Sequence, residues 1–139
     1  MKKILKSALL GSLAGLSALA LVACGNSDST GTSADKSVKV GILQYMEHDS
    51  LTAAREGFVA ELEANGYKEG ENLTLDYQNA QGDQANLQTI SEQLVGDNDL
   101  VLAIATPAAQ SLATASMETP ILFTAVTDPL SADLVDSIE

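Results

Sequence analysis

One cysteine, one histidine, no tryptophan and 7 basic residues against 19 acidic ones set limits on what this 139-residue chain can do. A single thiol makes no internal disulfide and no paired-cysteine metal site. A solitary His48 cannot hold a metal alone, and between Glu47 and Asp49 it reads as a solvated loop residue rather than a general base. Scarce Lys and Arg argue against nucleic acid or anionic headgroups as partners, since both demand clustered cations. Missing as well are a GxGxxG after the first strand, a phosphate loop ending in GKS or GKT, a GxSxG elbow and an HExxH helix. No cofactor is implied, and an enzyme would have to work from Asp128 or His48.

Long apolar runs are also scarce, and the one present sits at the start. Lys2, Lys3 and Lys6 precede an apolar stretch from Ala8 to Leu21, followed by Leu21-Val22-Ala23-Cys24. A basic segment, a short hydrophobic segment and small residues before a cut are the parts of a secretory signal peptide. The stretch is shorter than the roughly 20 residues needed to span a bilayer, and no basic cluster follows it. Leucine three positions before the only cysteine matches a lipobox. Residues 1–23 therefore read as a lipoprotein signal peptide, and Cys24 as a lipidated residue anchoring the chain to the outer side of the cell membrane. Loss of Lys2, Lys3 and Lys6 would take the formal charge from −12 to −15. Residues 24–37, rich in Ser, Thr, Gly and Asp, read as a flexible tether.

Residues 38–139 are about enough for one small domain. Val38 to Leu43 reads as a strand, and a helix follows from about Ser50 to Asn65, capped by Asp49 or Ser50, with Leu51, Ala54, Phe58 and Leu62 on one face. Leu73 to Tyr77 reads as a second strand, with Asp83 capping a helix over about 84–95 that Gly96 closes. The nearly unbroken apolar runs Leu100 to Ala105 and Ile121 to Val126 fit strands buried on both faces. Between them Thr106-Pro107 provides an N-cap and a first-turn proline for a helix to about Ser116. A last helix is expected after Pro129, and the sequence stops inside it without a closing signal, as a truncated chain would. Strands alternating with helices imply an α/β fold, with one parallel sheet and helices on both faces.

Ligands of open parallel sheets bind beyond the carboxyl ends of the strands, where the strand order reverses. That rule selects the loops after the first, third and fourth strands. Gln44 and Tyr45 offer an amide and an aromatic wall. Thr106, with the small Ala108 in the same first turn, opens a helix whose first N–H groups suit a carboxylate, unless Thr106 simply caps that helix. Thr127 and Asp128 offer a hydroxyl and a countercharge for an ammonium group, although Asp-Pro is also an ordinary turn and cap pair.

The segments LVAC, VGILQYMEH, AAREGF, IATPAAQSLA and ILFTAVTDP, in this order and spacing, resemble the substrate-binding lipoproteins of ABC importers, specifically the group associated with tryptophan and tyrosine uptake. The resemblance implies a periplasmic-binding-protein type I-like amino-terminal lobe of a two-lobed, hinged receptor, with no catalytic activity. It implies that Gln44, Thr106, Ala108, Thr127 and Asp128 line one side of a cleft for an amino acid, and that a membrane permease is the partner. Asp49 stands where the family often has proline, and Ser131 and Asp133 where it has glycines. Two other readings compete: a sensor subunit for a signalling partner, and a truncated fragment without function.

Overall fold

The computed structural model describes residues 37–137. The signal peptide, Cys24 and all of the tether except Ser37 lie outside the described residues. Seven elements alternate along the chain: β1 (Val38–Gln44), α1 (Asp49–Ala64), β2 (Leu73–Asn79), α2 (Gln84–Asp97), β3 (Leu100–Ile104), α3 (Thr106–Ala115) and β4 (Ile121–Thr124). The strands form one sheet in the order β2-β1-β3-β4 with every pairing parallel, the α/β architecture expected from the sequence. Among the described residues no helix is long and apolar enough to cross a membrane.

Alternation along the strands sorts the core into two layers. Leu43, Val101 and Ala103 turn to the face covered by α2 and α3, where Leu87, Leu94, Ala108, Ala109 and Leu112 are buried with them. Val40, Ile42, Leu73, Leu102 and Ile104 turn to the other face, against Leu51, Phe58, Val59 and Leu62 of α1. Two helices cover the first face and one covers the second, so α1 has no fully buried residue while α2 and α3 each bury three. The β4 edge lies beyond the reach of α1, and Leu122 there is 46% exposed.

The helix ends differ from expectation in instructive ways. His48, not Asp49 or Ser50, caps α1: its extended backbone directs ring Nδ1 to accept the Ser50 N–H at 3.2 Å. Asp83 caps α2 as expected, accepting from the Asn86 N–H at 2.8 Å. α2 runs past Gly96, because Asn98 closes it by donating both its backbone N–H and its Nδ2 to the Leu94 carbonyl. After β4 the expected final helix is a single turn among the described residues: Ala132 donates to the Asp128 carbonyl, and Asp133 then takes φ +54°. That left-handed residue stops propagation.

The unequal cover predicts unequal cost. Leu94→Ala, in the doubly covered layer, should destabilise the chain by about 2–5 kcal/mol in urea unfolding. Leu62→Ala, on the half-exposed stripe of α1, should cost clearly less, and equal losses would contradict the layer assignment.

Candidate functional site

The strand order places its reversal between β1 and β3. From β1 the chain leaves through α1 to one face, and from β3 it leaves through α3 to the other, so the two loops part and leave a crevice at the carboxyl end of the sheet. The end of β4 borders this crevice on the β3 side.

The turn from β3 into α3 is strained. Ala105 has φ +87° and ψ +153°, a region that suits glycine, while its N–H donates to the Thr124 carbonyl at 3.0 Å. Ala125, at the end of β4, also has positive φ, +56°. Backbone of the Ala105 kind costs about 1–3 kcal/mol and persists only where its surroundings hold it. The tight corner lets α3 start immediately after the strand.

Ala105 is therefore the N-cap, and Thr106 is the first helical residue rather than the cap. No side chain caps α3 among the described residues, Pro107 has no N–H, and Ala109 is the first residue to bond back, to the Ala105 carbonyl at 3.1 Å. The Thr106 hydroxyl instead accepts from the Thr127 N–H at 3.4 Å, bringing two of the expected site residues together. The backbone N–H groups of Thr106 and Ala108 thus form the electropositive end of α3 beside the crevice. Ala108 is 0% exposed, backbone and methyl together, and packs in the core, so of the two residues it is Thr106 that reaches the surface.

The remaining expected residues are engaged in the protein itself. Gln44 is 0% exposed, and Tyr45 packs against the α2–α3 layer while its hydroxyl donates to the Gly82 carbonyl at 3.3 Å. The carboxylate of Asp128 accepts from the Ser131 hydroxyl at 2.7 Å and from the N–H groups of Leu130 and Ser131, both at 3.1 Å. The Ser131 hydroxyl, then its N–H, hold the Asp128 carboxyl below the usual aspartate range, slight desolvation opposing them. Sequence reasoning missed Thr52 and Tyr77, which bond the Gln44 amide; the alternation of β2 already set Tyr77 on the face of Leu73 and Leu75.

Surface hollows are also present. One of about 600 Å³ borders the β1–α1 loop at Met46, Glu47, Tyr77, Asn79 and Gln81. Another of about 530 Å³ runs down the outside of α2 and α3 from Gln84 and Pro107 to Thr114, away from the strand ends. Among the described residues no group of three or more His, Cys, Asp or Glu could hold a metal ion.

The family model described as ABC transporter substrate binding protein matches residues 39–139. A tyrosine-binding protein of Clostridioides difficile (strain R20291) is 47% identical over 109 residues, which is 78% of this chain and 32% of that protein. The ligand-free, open structure of a substrate-binding protein with adhesive properties from Clostridium difficile superposes with TM-score 0.72 at 48% identity, over 73% of this chain and 35% of that one. A Streptococcus pneumonia structure described as an ABC domain in complex with L-Trp superposes with TM-score 0.71 at 42% identity, over 74% and 35%. The chain thus spans about a third of the length of the relatives it matches.

Two outcomes follow from this geometry. Ala105→Gly should stabilise the chain by about 1 kcal/mol in urea unfolding, relief of the positive φ outweighing the entropy of glycine. For Asp128 the folded pKa is depressed, so its stabilisation is present above the unfolded value and is lost as pH falls through the folded one. A carboxyl-carbon NMR titration should place Asp128 below an ordinary aspartate, and Ser131→Ala should move it back up.

Proposed function

Because the chain belongs to the ABC transporter substrate-binding protein family, we propose that its described domain forms one wall of a receptor site for an amino acid, of aromatic type. The family is one of binding proteins, not enzymes. The observation that carries the reading is the uncapped start of α3 at the strand-order reversal. The half-buried Thr106 N–H, at the positive end of α3, holds the ligand carboxylate, and the ionised Asp128, with Thr127 beside it, faces the ammonium group. Tyr45 borders the aromatic side chain. The ligand class is supported by the relatives, one named for tyrosine and one described with L-Trp.

In the whole receptor, ligand binding shifts an equilibrium between open and closed lobes, and a membrane permease reads the closed form. Lipidated Cys24 holds the receptor at the outer face of the membrane, so diffusion of the receptor is confined to the neighbourhood of its permease. A micromolar site, about −8 kcal/mol, that kept half of its contact free energy would fall to the millimolar range. One wall alone is thus a weak binder, suited to measurement by NMR.

Titration of the chain with millimolar L-tryptophan should shift the amide resonances of Thr106 and Ala108. Thr106→Asp sets a carboxylate at the same helix end, which favours the helix and opposes the ligand; binding should weaken at least about tenfold with no loss of melting temperature. Amides of the first α3 turn that stay unmoved in the unaltered chain would refute the assignment.

A further inference from the structure

We propose that a closed ring of five side chains, Gln44, Thr52, Glu47, Asn79 and Tyr77, fixes the β1–α1 loop in its ligand-receiving shape, with Gln44 as a positioning residue rather than a ligand contact. The proposal rests on the receptor reading above for its functional half. Gln44 Nε2 donates to Thr52 Oγ1 at 3.3 Å, and the Thr52 hydroxyl donates to Glu47 Oε1 at 2.9 Å. Asn79 Nδ2 donates to Glu47 Oε2 at 3.0 Å and to the Tyr77 hydroxyl oxygen at 3.2 Å. The Tyr77 hydroxyl donates to Gln44 Oε1 at 3.3 Å, which completes the circuit.

The ring joins four pieces of chain: the last residue of β1, the loop, the first turn of α1 and the end of β2. Gln44 is its buried member, and both of its Nε2 protons are used, since Nε2 also donates to the Met46 carbonyl at 2.9 Å. A side chain with both protons and its oxygen already bonded offers little to a ligand. It does set where the loop leaves the sheet: Gln44 lies beside Ile104 in the β1–β3 register, and the next N–H, of Tyr45, donates to the Ile104 carbonyl at 3.2 Å. Ala105 and the start of α3 follow directly. Arg55, the only arginine, lies over the Tyr77 ring with its guanidinium carbon 4.4 Å from the centroid, and covers the ring's outer side. Apolar residues would close this end of the α1 layer as tightly. A polar circuit instead admits one loop geometry, because any other leaves a buried amide unpaired.

Thr52→Val removes the hydroxyl with little change of shape, and Thr52→Ser restores it. In the unaltered chain the Gln44 side-chain amide should give a resolved, slowly exchanging pair of NMR signals. Thr52→Val should lose that slow exchange, speed exchange of the Tyr45 and Leu51 amides, and weaken L-tryptophan binding about three- to tenfold. Thr52→Ser should behave as the unaltered chain, and Tyr77→Phe, which keeps the ring under Arg55, should repeat the valine result. Valine and serine variants that lose equally would trace the effect to packing and overturn the proposal, as would a valine variant with unchanged Gln44 signals and affinity. A chain indifferent to L-tryptophan but with the predicted exchange pattern would sink the receptor reading and leave the ring as the loop's fixative.

Discussion

The parallel pairing of β1 with β3, from Val40 beside Leu100 to Gln44 beside Ile104, carries the rest of the molecule. It seats the first strand in the interior of the sheet and pushes β2 outward, so the chain winds in both directions, with α1 on one face and α2 and α3 on the other. Two separated layers of apolar side chains result, and with them a gap between the loops that a sheet wound in one direction would lack. The register also sets the level of the strand ends, and so decides which residues border the gap. Gln44, Ile104 and Thr124 reach that level together, tied by the Tyr45 and Ala105 N–H bonds.

Electrostatics at the gap are supplied by the main chain. The protein is acidic, with a formal charge of −12, and Glu47 lies in the loop after β1 with Asp49 at the start of α1. In the proposed site, the attraction for a carboxylate at α3 comes from peptide dipoles, which do not titrate and cannot swing away. An anion is thus directed to one small positive spot in a negative surrounding. A group bearing both charges suits such a place better than a simple anion, because Asp128 stays ionised nearby.

Periodicity carried most of the fold into view from the sequence. The apolar runs of β3 and β4 and the three- and four-residue spacing on α1 and α2 are local signals, and the elements lie near where those signals put them. β4, expected buried on both faces to Val126, instead ends at Thr124 as a part-exposed edge strand, because no strand pairs beyond it among the described residues. Strand order is not local, and it followed from general rules of connection. Two misread helix ends share one cause, competition for the hydrogen bonds of the capping side chain. His48 outbids Asp49 and Ser50 for the end of α1 because its backbone is extended. Thr106 was expected to cap its own helix, but the Thr127 N–H takes its hydroxyl from across the sheet. The positions of Gln44, Tyr45, Thr106, Thr127 and Asp128 around the strand ends could be read from the sequence; how far their polar atoms were already bonded could not. Thr52, Tyr77 and Asn79 share no sequence motif, and only folding gathers such residues around one amide.

The two margins of the sheet are not alike. β2 carries Thr74, Asp76 and Gln78 between its apolar residues, and a carboxylate in an edge strand discourages a further strand from adding there. β4 reads Ile-Leu-Phe-Thr, carries no charge, and shows Leu122 to solvent. Its outward peptide groups form a ready template for another extended segment, from the same polypeptide or from a neighbour. Growth of the sheet is therefore one-sided. In a crowded solution, self-association of this domain would begin at β4, with the large negative charge of the molecule as the chief force resisting it.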